Sequence, residues 1–254
     1  MAELTVENLS LRFGGLIVLD GISFAVEPGQ LFALIGPNGA GKTSALNCIS
    51  GIYRGDGVIK LRDTVISGRA PHNIARLGIA RTFQHGELFA QMSVLENLLT
   101  GRHARMATNP LAEMLFLPSV RRAEVAHREA VERIIDLVDL ERHRHAAVGS
   151  LPFGLQKIVG FARALALEPT VLLLDEPSAG LNREEREDLA RFILRIKHEL
   201  GMTIIWIEHD MQMIADLADF IHVLDYGRTI GQGVPDKVLN DPDVIRAYLG
   251  TATV

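Results

Sequence analysis

Residues 31 to 50 place glycine, lysine and threonine where a phosphate-binding loop requires them. The segment reads LFALIGPNGAGKTSALNCIS, and Gly36, Gly41, Lys42 and Thr43 occupy the fixed positions of the P-loop pattern G-x-x-x-x-G-K-[ST]. Glycines let successive backbone N–H groups converge on one anion, and the N-terminus of the following helix adds positive potential. Lysine can reach the β- and γ-phosphates, while the hydroxyl can bind Mg²⁺. The predicted nucleotide contacts are Gly36, Pro37, Asn38, Gly39, Ala40, Gly41, Lys42, Thr43 and Ser44.

The surroundings of this motif favour a genuine nucleotide site. An apolar run over residues 31–35 predicts a buried strand before the glycines, and a helix is expected from Gly41 to about Ser50. A chance glycine turn before a core helix would need no such strand. The strand–loop–helix context therefore predicts that the chain binds a nucleoside triphosphate.

A second chemical pair, Asp175 and Glu176, ends the stretch VLLLDEP. An aliphatic strand over residues 171–174 would deliver both acids to the carboxyl edge of a sheet, where open α/β sheets bind ligands. Asp175 can then hold Mg²⁺, and Glu176 can accept a proton from an attacking water. Alone, the pair could be two solvated acids at a strand end, but with a P-loop it indicates Mg²⁺-dependent hydrolysis.

The composition limits the classes of protein to which the chain can belong. The chain has 254 residues, of which 48% are hydrophobic and 22% charged, and this fits a globular α/β domain with or without a lobe. Its single cysteine, Cys48, excludes an intramolecular disulfide and a cysteine-rich metal site. We find neither an apolar run of about 20 residues nor a signal-peptide pattern, and the single cysteine fits a reducing cytoplasm. The net charge of −5 argues against a broad nucleic-acid surface.

The elements around these residues predict one domain, 1–254, with an inserted lobe. Three β-like runs, LTVENL, LIVLD and ISFAVE, predict an antiparallel sheet before the P-loop strand, and GIARTFQ predicts a strand ending at Gln84. Later strands alternate with helices, as in a mostly parallel sheet. Between residues 93 and 167 helices dominate, with Ser93 and Ser119 as expected caps. The predicted P-loop NTPase core covers 1–86 and 168–254, and the helical subdomain about 87–167.

The order of the motifs resembles the ATP-binding subunits of ABC transporters over nearly the whole chain. That resemblance places Gln84 in the Q-loop, 151–156 at the signature, 179–182 in the D-loop and His209 as the switch histidine. Phe13 falls where the family stacks an aromatic ring on adenine. Singly, Phe13 and His209 would fit structural roles, but their order around two nucleotide motifs favours function.

The resemblance implies ATP and Mg²⁺ as ligands and a role for each residue. Lys42 would bind the phosphates, and Glu176 would polarise the attacking water. Thr43, Gln84 and Asp175 would bind Mg²⁺, while Gln84 and His209 would also sense the γ-phosphate.

Two subunits would pair head to tail, so that each ATP lies between one P-loop and the partner's signature, including Leu151 and Gly154. Here that signature reads LPFGLQ where the family usually has LSGGQ. Pro152 supplies neither a serine hydroxyl nor an N–H, so phosphate contact would rest on Gly154 and its neighbours. Asn182 stands where many relatives have aspartate.

Within this family, stretches such as RTFQHGELFAQMSVLENLL and DPDVIRAYLG are similar to ATPases of branched-chain and hydrophobic amino acid importers. This similarity implies a transmembrane permease, a second ATPase subunit of the same or a different kind, and indirectly a periplasmic or extracellular solute-binding protein. The chain would lie peripherally on the cytoplasmic face of the membrane, without nucleic acid. Transporters of urea, amides, aromatic acids or lipopolysaccharide remain alternatives, as does a soluble ABC-type ATPase. A small-molecule kinase would not explain the signature and histidine segments.

Two further segments have competing interpretations. ERHRH, residues 141–145, alternates histidine with arginine, and this favours a solvated loop over a metal site. LAEMLFLP, residues 111–118, would either pack within the helical lobe or contact the membrane or permease.

Overall fold

The computed structural model describes residues 2–82, 88–105, 114 and 118–249. The strands are β1 Leu4–Phe13, β2 Leu16–Val26, β3 Leu31–Ile35, β4 Asp56–Leu61, β5 Thr64–Val65, β6 Ile79–Arg81, β7 Val171–Asp175, β8 Thr203–Ile207, β9 Phe220–Asp225 and β10 Arg228–Gly233. The helices are α1 Lys42–Ile49, α2 Pro71–Arg76, α3 Val94–Gly101, α4 Pro118–Leu137, α5 Phe153–Leu165, α6 Arg183–Leu200, α7 Met211–Leu217, α8 Pro235–Val238 and α9 Pro242–Leu249.

The larger sheet has the strand order β10-β9-β3-β8-β7-β6 and is parallel except for the β9–β10 pair. Every residue of β3, β7 and β8 is buried. Parallel strands covered on both faces read as continuous apolar runs, as these do. The carboxyl ends of these three strands therefore meet at one edge, and the predicted mostly parallel α/β sheet is confirmed.

The smaller sheet is antiparallel, with the order β2-β1-β4-β5. The prediction of separate strands for LIVLD and ISFAVE was wrong, because both belong to β2. Gly21 adopts φ 69° where the register with β1 shifts between the Leu9–Ile22 and Leu11–Leu19 pairs. The glycine thus forms a β-bulge within one strand rather than a turn between two.

The helical region between β6 and β7 contains α3, α4 and α5. Ser93 caps α3 as predicted: its hydroxyl accepts from the Glu96 N–H at 3.2 Å, and the Glu96 carboxylate accepts from the Ser93 N–H at 2.8 Å. The cap predicted at Ser119 was wrong, because α4 already includes Pro118. Proline suits the first turn of a helix, where an N–H has no partner.

Apolar packing joins the helical region to the large sheet. Val94 of α3 and Val131 of α4 belong to the same buried cluster as Leu172 and Leu174 of β7. β6 ends at Arg81 rather than continuing to Gln84, which lies outside the described residues. Among the helices that the structure describes, none is long and apolar enough to cross a bilayer.

Candidate nucleotide site

The P-loop begins where β3 ends, and close contacts require glycine at two of its positions, Gly36 and Gly41. Gly36 has φ 146°, and a Cβ there would lie 2.0 Å from the Leu224 carbonyl oxygen of β9. Gly41, with φ 101°, immediately precedes α1. The Ala40 carbonyl accepts from the Gly227 N–H at 3.0 Å, which fixes the loop against the β9–β10 turn. The predicted strand–loop–helix arrangement is therefore present.

Lys42 folds back into this loop. Its Nζ donates to the carbonyl oxygens of Gly36 at 2.7 Å and Pro37 at 2.9 Å, and the residue is 5% exposed. Burial lowers the pKa of Lys42, and the negative charges of Glu176 and Asp175 oppose that shift. The charges of both acids thus act on the ammonium, and the parallel strands β3 and β7 bring the two predicted motifs to the same edge of the large sheet.

Asp175 is buried at the end of β7. Its Oδ2 accepts from Arg81 Nη2 at 2.8 Å, whereas its Oδ1 has no hydrogen-bond partner among the described residues. A buried carboxylate oxygen without a partner costs free energy, and a cation would supply the missing contact. Thr43 is exposed in the first turn of α1. Carboxylate and hydroxyl oxygens are ligands that suit Mg²⁺, so these residues fit the predicted metal.

Glu176 and His209 meet across neighbouring strands. His209 Nε2 and Glu176 Oε1 are 2.8 Å apart, and the Glu176 N–H donates to the Ile207 carbonyl of β8 at 2.9 Å. Glu176 adopts φ 48°, a left-handed conformation that is uncommon outside glycine and often marks a functional site. Its carboxylate remains partly exposed and can accept a proton from a bound water.

Phe13 lies at the end of β1 and is 49% exposed. Its ring meets Tyr53 edge-on, with centroids 5.2 Å apart and planes at 81°. An exposed aromatic ring can stack on any base, so adenine stacking by Phe13 stays a prediction.

The signature-like stretch begins α5. Pro152 is the N-cap without a capping side-chain bond, and Gln156 Nε2 donates to the Leu151 carbonyl at 2.9 Å. Leu151 and Gly154 are buried. A Cβ on Gly154 would lie 2.3 Å from Glu185 Oε1 of α6, so a larger residue there would displace the end of the Glu185 side chain. Contact between this stretch and a partner's phosphate stays a prediction.

Lys157, one turn further along α5, was not identified from the sequence. Its Nζ donates to the carbonyls of Pro177, at 3.0 Å, and Ala179. Burial lowers the pKa of Lys157, opposed by the charges of Glu208 and Glu176. The sequence offered one signal for Lys157, which is its position on a helical segment that also carries the buried residues Ile158 and Phe161. Its hydrogen-bond partners could not be predicted, because they are carbonyls distant in sequence.

Of the remaining residues named from the sequence, Gln84 is not tested by the structure and Asn182 has a capping role. Gln84 lies outside the described residues, so its metal and sensor roles stay predictions. Asn182 caps α6, accepting from the Glu185 N–H at 3.0 Å. Arg81 was missed as a site residue, although a charged side chain at the end of a short buried strand was a usable signal.

Comparison with known proteins finds relatives over nearly the whole chain. Residues 19–179 match the family model described as ABC transporter. The chain is 40% identical to the "high-affinity branched-chain amino acid transport ATP-binding protein BraF" of Pseudomonas aeruginosa and 39% identical to LivG of Escherichia coli strain K12. Each alignment spans 250 residues and 98% of both chains. The structure resembles the ADP conformation of the ATP-binding cassette MJ1267, with TM-score 0.86 and 31% identity over 98% of this chain and 99% of that one.

The chain therefore belongs to the ABC transporter family of ATP-binding proteins. Residues 228–253 also match the model described as branched-chain amino acid ATP-binding cassette transporter. The family and the branch inferred from the motifs are both confirmed, as is the ABC ATPase fold.

Proposed function

We propose that this chain is the ATP-hydrolysing subunit of an importer for branched-chain or other hydrophobic amino acids. The observation that carries the chemistry is Lys42, folded into the P-loop and subject to the charges of Asp175 and Glu176. The names of the full-length relatives and the match of residues 228–253 support the branched-chain assignment.

In this proposal Lys42 exchanges its bonds to the Gly36 and Pro37 carbonyls for bonds to the β- and γ-phosphates. Thr43, Gln84 and Asp175 would hold Mg²⁺, which would supply positive charge next to the phosphate oxygens. Glu176 orients the attacking water and accepts its proton, while His209 holds Glu176 Oε1. The water oxygen bonds to the γ-phosphorus as the bond to the β–γ bridging oxygen breaks, and ADP and phosphate are released.

The proposed working unit contains two ATPase subunits, identical or different, under a transmembrane permease. The start of α5, with Leu151 and Gly154, faces the partner's γ-phosphate and offers the positive end of a helix. Bound ATP then favours the closed pair, and hydrolysis releases it. A solute-binding protein outside the membrane delivers the amino acid, and the chain stays peripheral on the cytoplasmic face.

Co-purification tests this assignment directly. The chain is expressed with its candidate permease genes and captured from detergent-solubilised membranes, followed by ATP turnover with the solute-binding protein and leucine. We expect permease subunits and a second ATPase chain in the eluate, and leucine-stimulated turnover. Stimulation by urea or acetamide instead of leucine would reassign the solute. Co-purifying nucleic acid without any permease would contradict the transporter function.

A further inference from the structure

Arg81 connects three elements of the nucleotide site. From the end of β6, its Nη2 donates to Asp175 Oδ2 of β7 at 2.8 Å, and its Nη1 donates to Asn47 Oδ1 of α1 at 2.5 Å. The Ser50 hydroxyl lies 3.3 Å from the same Nη1. The Arg81 side chain is 8% exposed and that of Asp175 is 2% exposed, so water screens this pair weakly.

The contacts fix the orientation of the Asp175 carboxylate. A guanidinium is a rigid planar fork, and here one arm is held by the helix of the P-loop while the other holds Oδ2. Rotation of the carboxylate would break the bond to Oδ2. The other oxygen, Oδ1, is thereby left as the one available to a cation.

A neighbouring positive charge has two opposite effects on such a ligand. Arg81 reduces the electrostatic attraction of Asp175 for Mg²⁺, but it also prevents the carboxylate from turning toward another cation. Lys42 is close enough for the charge of Asp175 to act on it. Removing one partner of a buried ion pair leaves an uncompensated charge that seeks another partner. Without Arg81, we expect Asp175 to turn toward Lys42, so that loss of orientation outweighs the gain in attraction.

We propose that Arg81 is a positioning residue for the Mg²⁺ site. Arg81 holds Asp175 Oδ1 toward the metal and, through its bond to Asn47, fixes the position of Asp175 relative to α1. This inference rests on the proposed Mg²⁺-nucleotide function. Through Arg81, the end of β6 is connected directly to Asp175, the proposed metal ligand.

Nucleotide affinity measured with and without Mg²⁺ tests this role independently of turnover. The dissociation constant of a fluorescent ADP analogue is measured in excess Mg²⁺ and in EDTA, and the ratio of the two constants is compared between variants. We call this ratio the Mg²⁺-dependent gain in affinity. For Arg81→Met we expect the gain to fall about tenfold, the lower end of the loss in metal affinity that follows removal of a group orienting a metal ligand. Affinity in EDTA should change less than about twofold, and Arg81→Lys should retain part of the gain.

Arg102→Met provides a matched control. Arg102 is equally buried and pairs with Glu168 at 3.0 Å, but it lies in the helical region. Its removal should leave the Mg²⁺-dependent gain unchanged, whatever it does to thermal stability. An Arg81→Met variant whose gain is unchanged or larger would overturn the proposal.

A second variant keeps the proposal testable if Arg81→Met fails to fold. Asn47→Leu leaves the Arg81–Asp175 pair and removes its contact to α1, so we expect the Mg²⁺-dependent gain to fall, but by less than in Arg81→Met. An unchanged gain in this variant would overturn the connection to α1. If the wild-type chain itself gains no affinity from Mg²⁺, the Mg²⁺-nucleotide function fails, and Arg81 positioning with it.

Discussion

Two helix N-termini of this chain are assigned to phosphate, and they are built differently. At α1, glycines with positive φ curl the backbone, and Lys42 folds into the loop under the charge influence of Asp175 and Glu176. At α5, Pro152 supplies no N–H, Gly154 is buried against Glu185, and Phe153 is 55% exposed. The first terminus carries its own cation and acids, whereas the second presents mainly backbone and an exposed ring.

This difference indicates a division of work between the two regions. The start of α1 can bind phosphate and position a metal within one chain. The start of α5 fits a supporting contact to a phosphate already held by another P-loop, as the proposed pairing requires. Variants that act on only one region can separate these roles.

The largest effect is expected at the acid beside the P-loop. In Glu176→Gln the amide cannot accept the proton of the attacking water, so ATP turnover should fall at least about 100-fold. Nucleotide affinity should remain, because Lys42 and the loop are unchanged. Turnover and equilibrium binding are measured together, with Glu184→Gln as an exposed acid control. Unchanged turnover would remove Glu176 from its assigned role and weaken the contrast with α5.

Acid should destabilise the core that supports the P-loop. His222 of β9 is fully buried, and burial lowers its pKa to about 4, with a hydrogen bond to Gln232 opposing the shift. Between the ordinary pKa of 6.5 and about 4, the unfolded chain binds a proton that the folded chain does not. This contribution to stability is therefore full above pH 6.5, and about 3 kcal/mol is lost as the pH falls toward 4.

Urea unfolding between pH 7 and 4.5 measures this loss. His222→Gln should flatten the pH dependence, while His103→Gln, at an exposed histidine near α3, should leave it as in wild type. A pH dependence that is unchanged by His222→Gln would show that other groups cause the acid sensitivity.

Lys42→Met should weaken nucleotide binding roughly 10- to 100-fold, because charge-assisted hydrogen bonds to the phosphates are lost. The fold should persist, since methionine fills the space that the lysine stem occupies. Isothermal titration with ATP gives the change, and Lys60→Met, at a partly exposed ion pair with Glu7, is the control. Equal affinity in both variants would contradict the P-loop assignment.

Gly154→Ala tests the other terminus and should have the smallest effect. The added methyl displaces the Glu185 carboxylate, which also accepts from the Asn182 N–H at 2.9 Å, so the capping box of α6 is disturbed. We expect a loss of about 1 kcal/mol in unfolding free energy and unchanged nucleotide affinity of the single chain.

Glu185→Ala combined with Gly154→Ala measures the coupling between the two sites. The double variant should lose less stability than the sum of the single variants, because the clash disappears with the carboxylate. Strict additivity would show that Gly154 is not constrained by Glu185.

The sequence predicted local features well and long-range contacts poorly. The aliphatic run over residues 171–174 correctly predicted the position of β7, because such a run is a local signal. Gly21 was misread as a turn, since a bulge depends on the partner strand. β10 was missed because its sequence, RTIGQG, contains two glycines and little apolar alternation.

The site shows the same limit. P-loop and acid residues were identified because their types and spacing carry the chemistry. Arg81 and Lys157 were missed because their partners, Asp175 and the carbonyls of Pro177 and Ala179, are distant in sequence. Only the fold determines such pairs.

The glycines of the P-loop also bear on how mutational libraries of this chain should be interpreted. At residue 36 the Leu224 carbonyl excludes any side chain, and at residue 41 Leu19 and Val18 leave no room. Selection for folding alone should therefore recover glycine at both positions, even without nucleotide. Gly39 has open space around it and needs glycine only for its φ of 80°. Enrichment at exposed Asn38 would consequently report selection for ATP binding more directly than enrichment at Gly36.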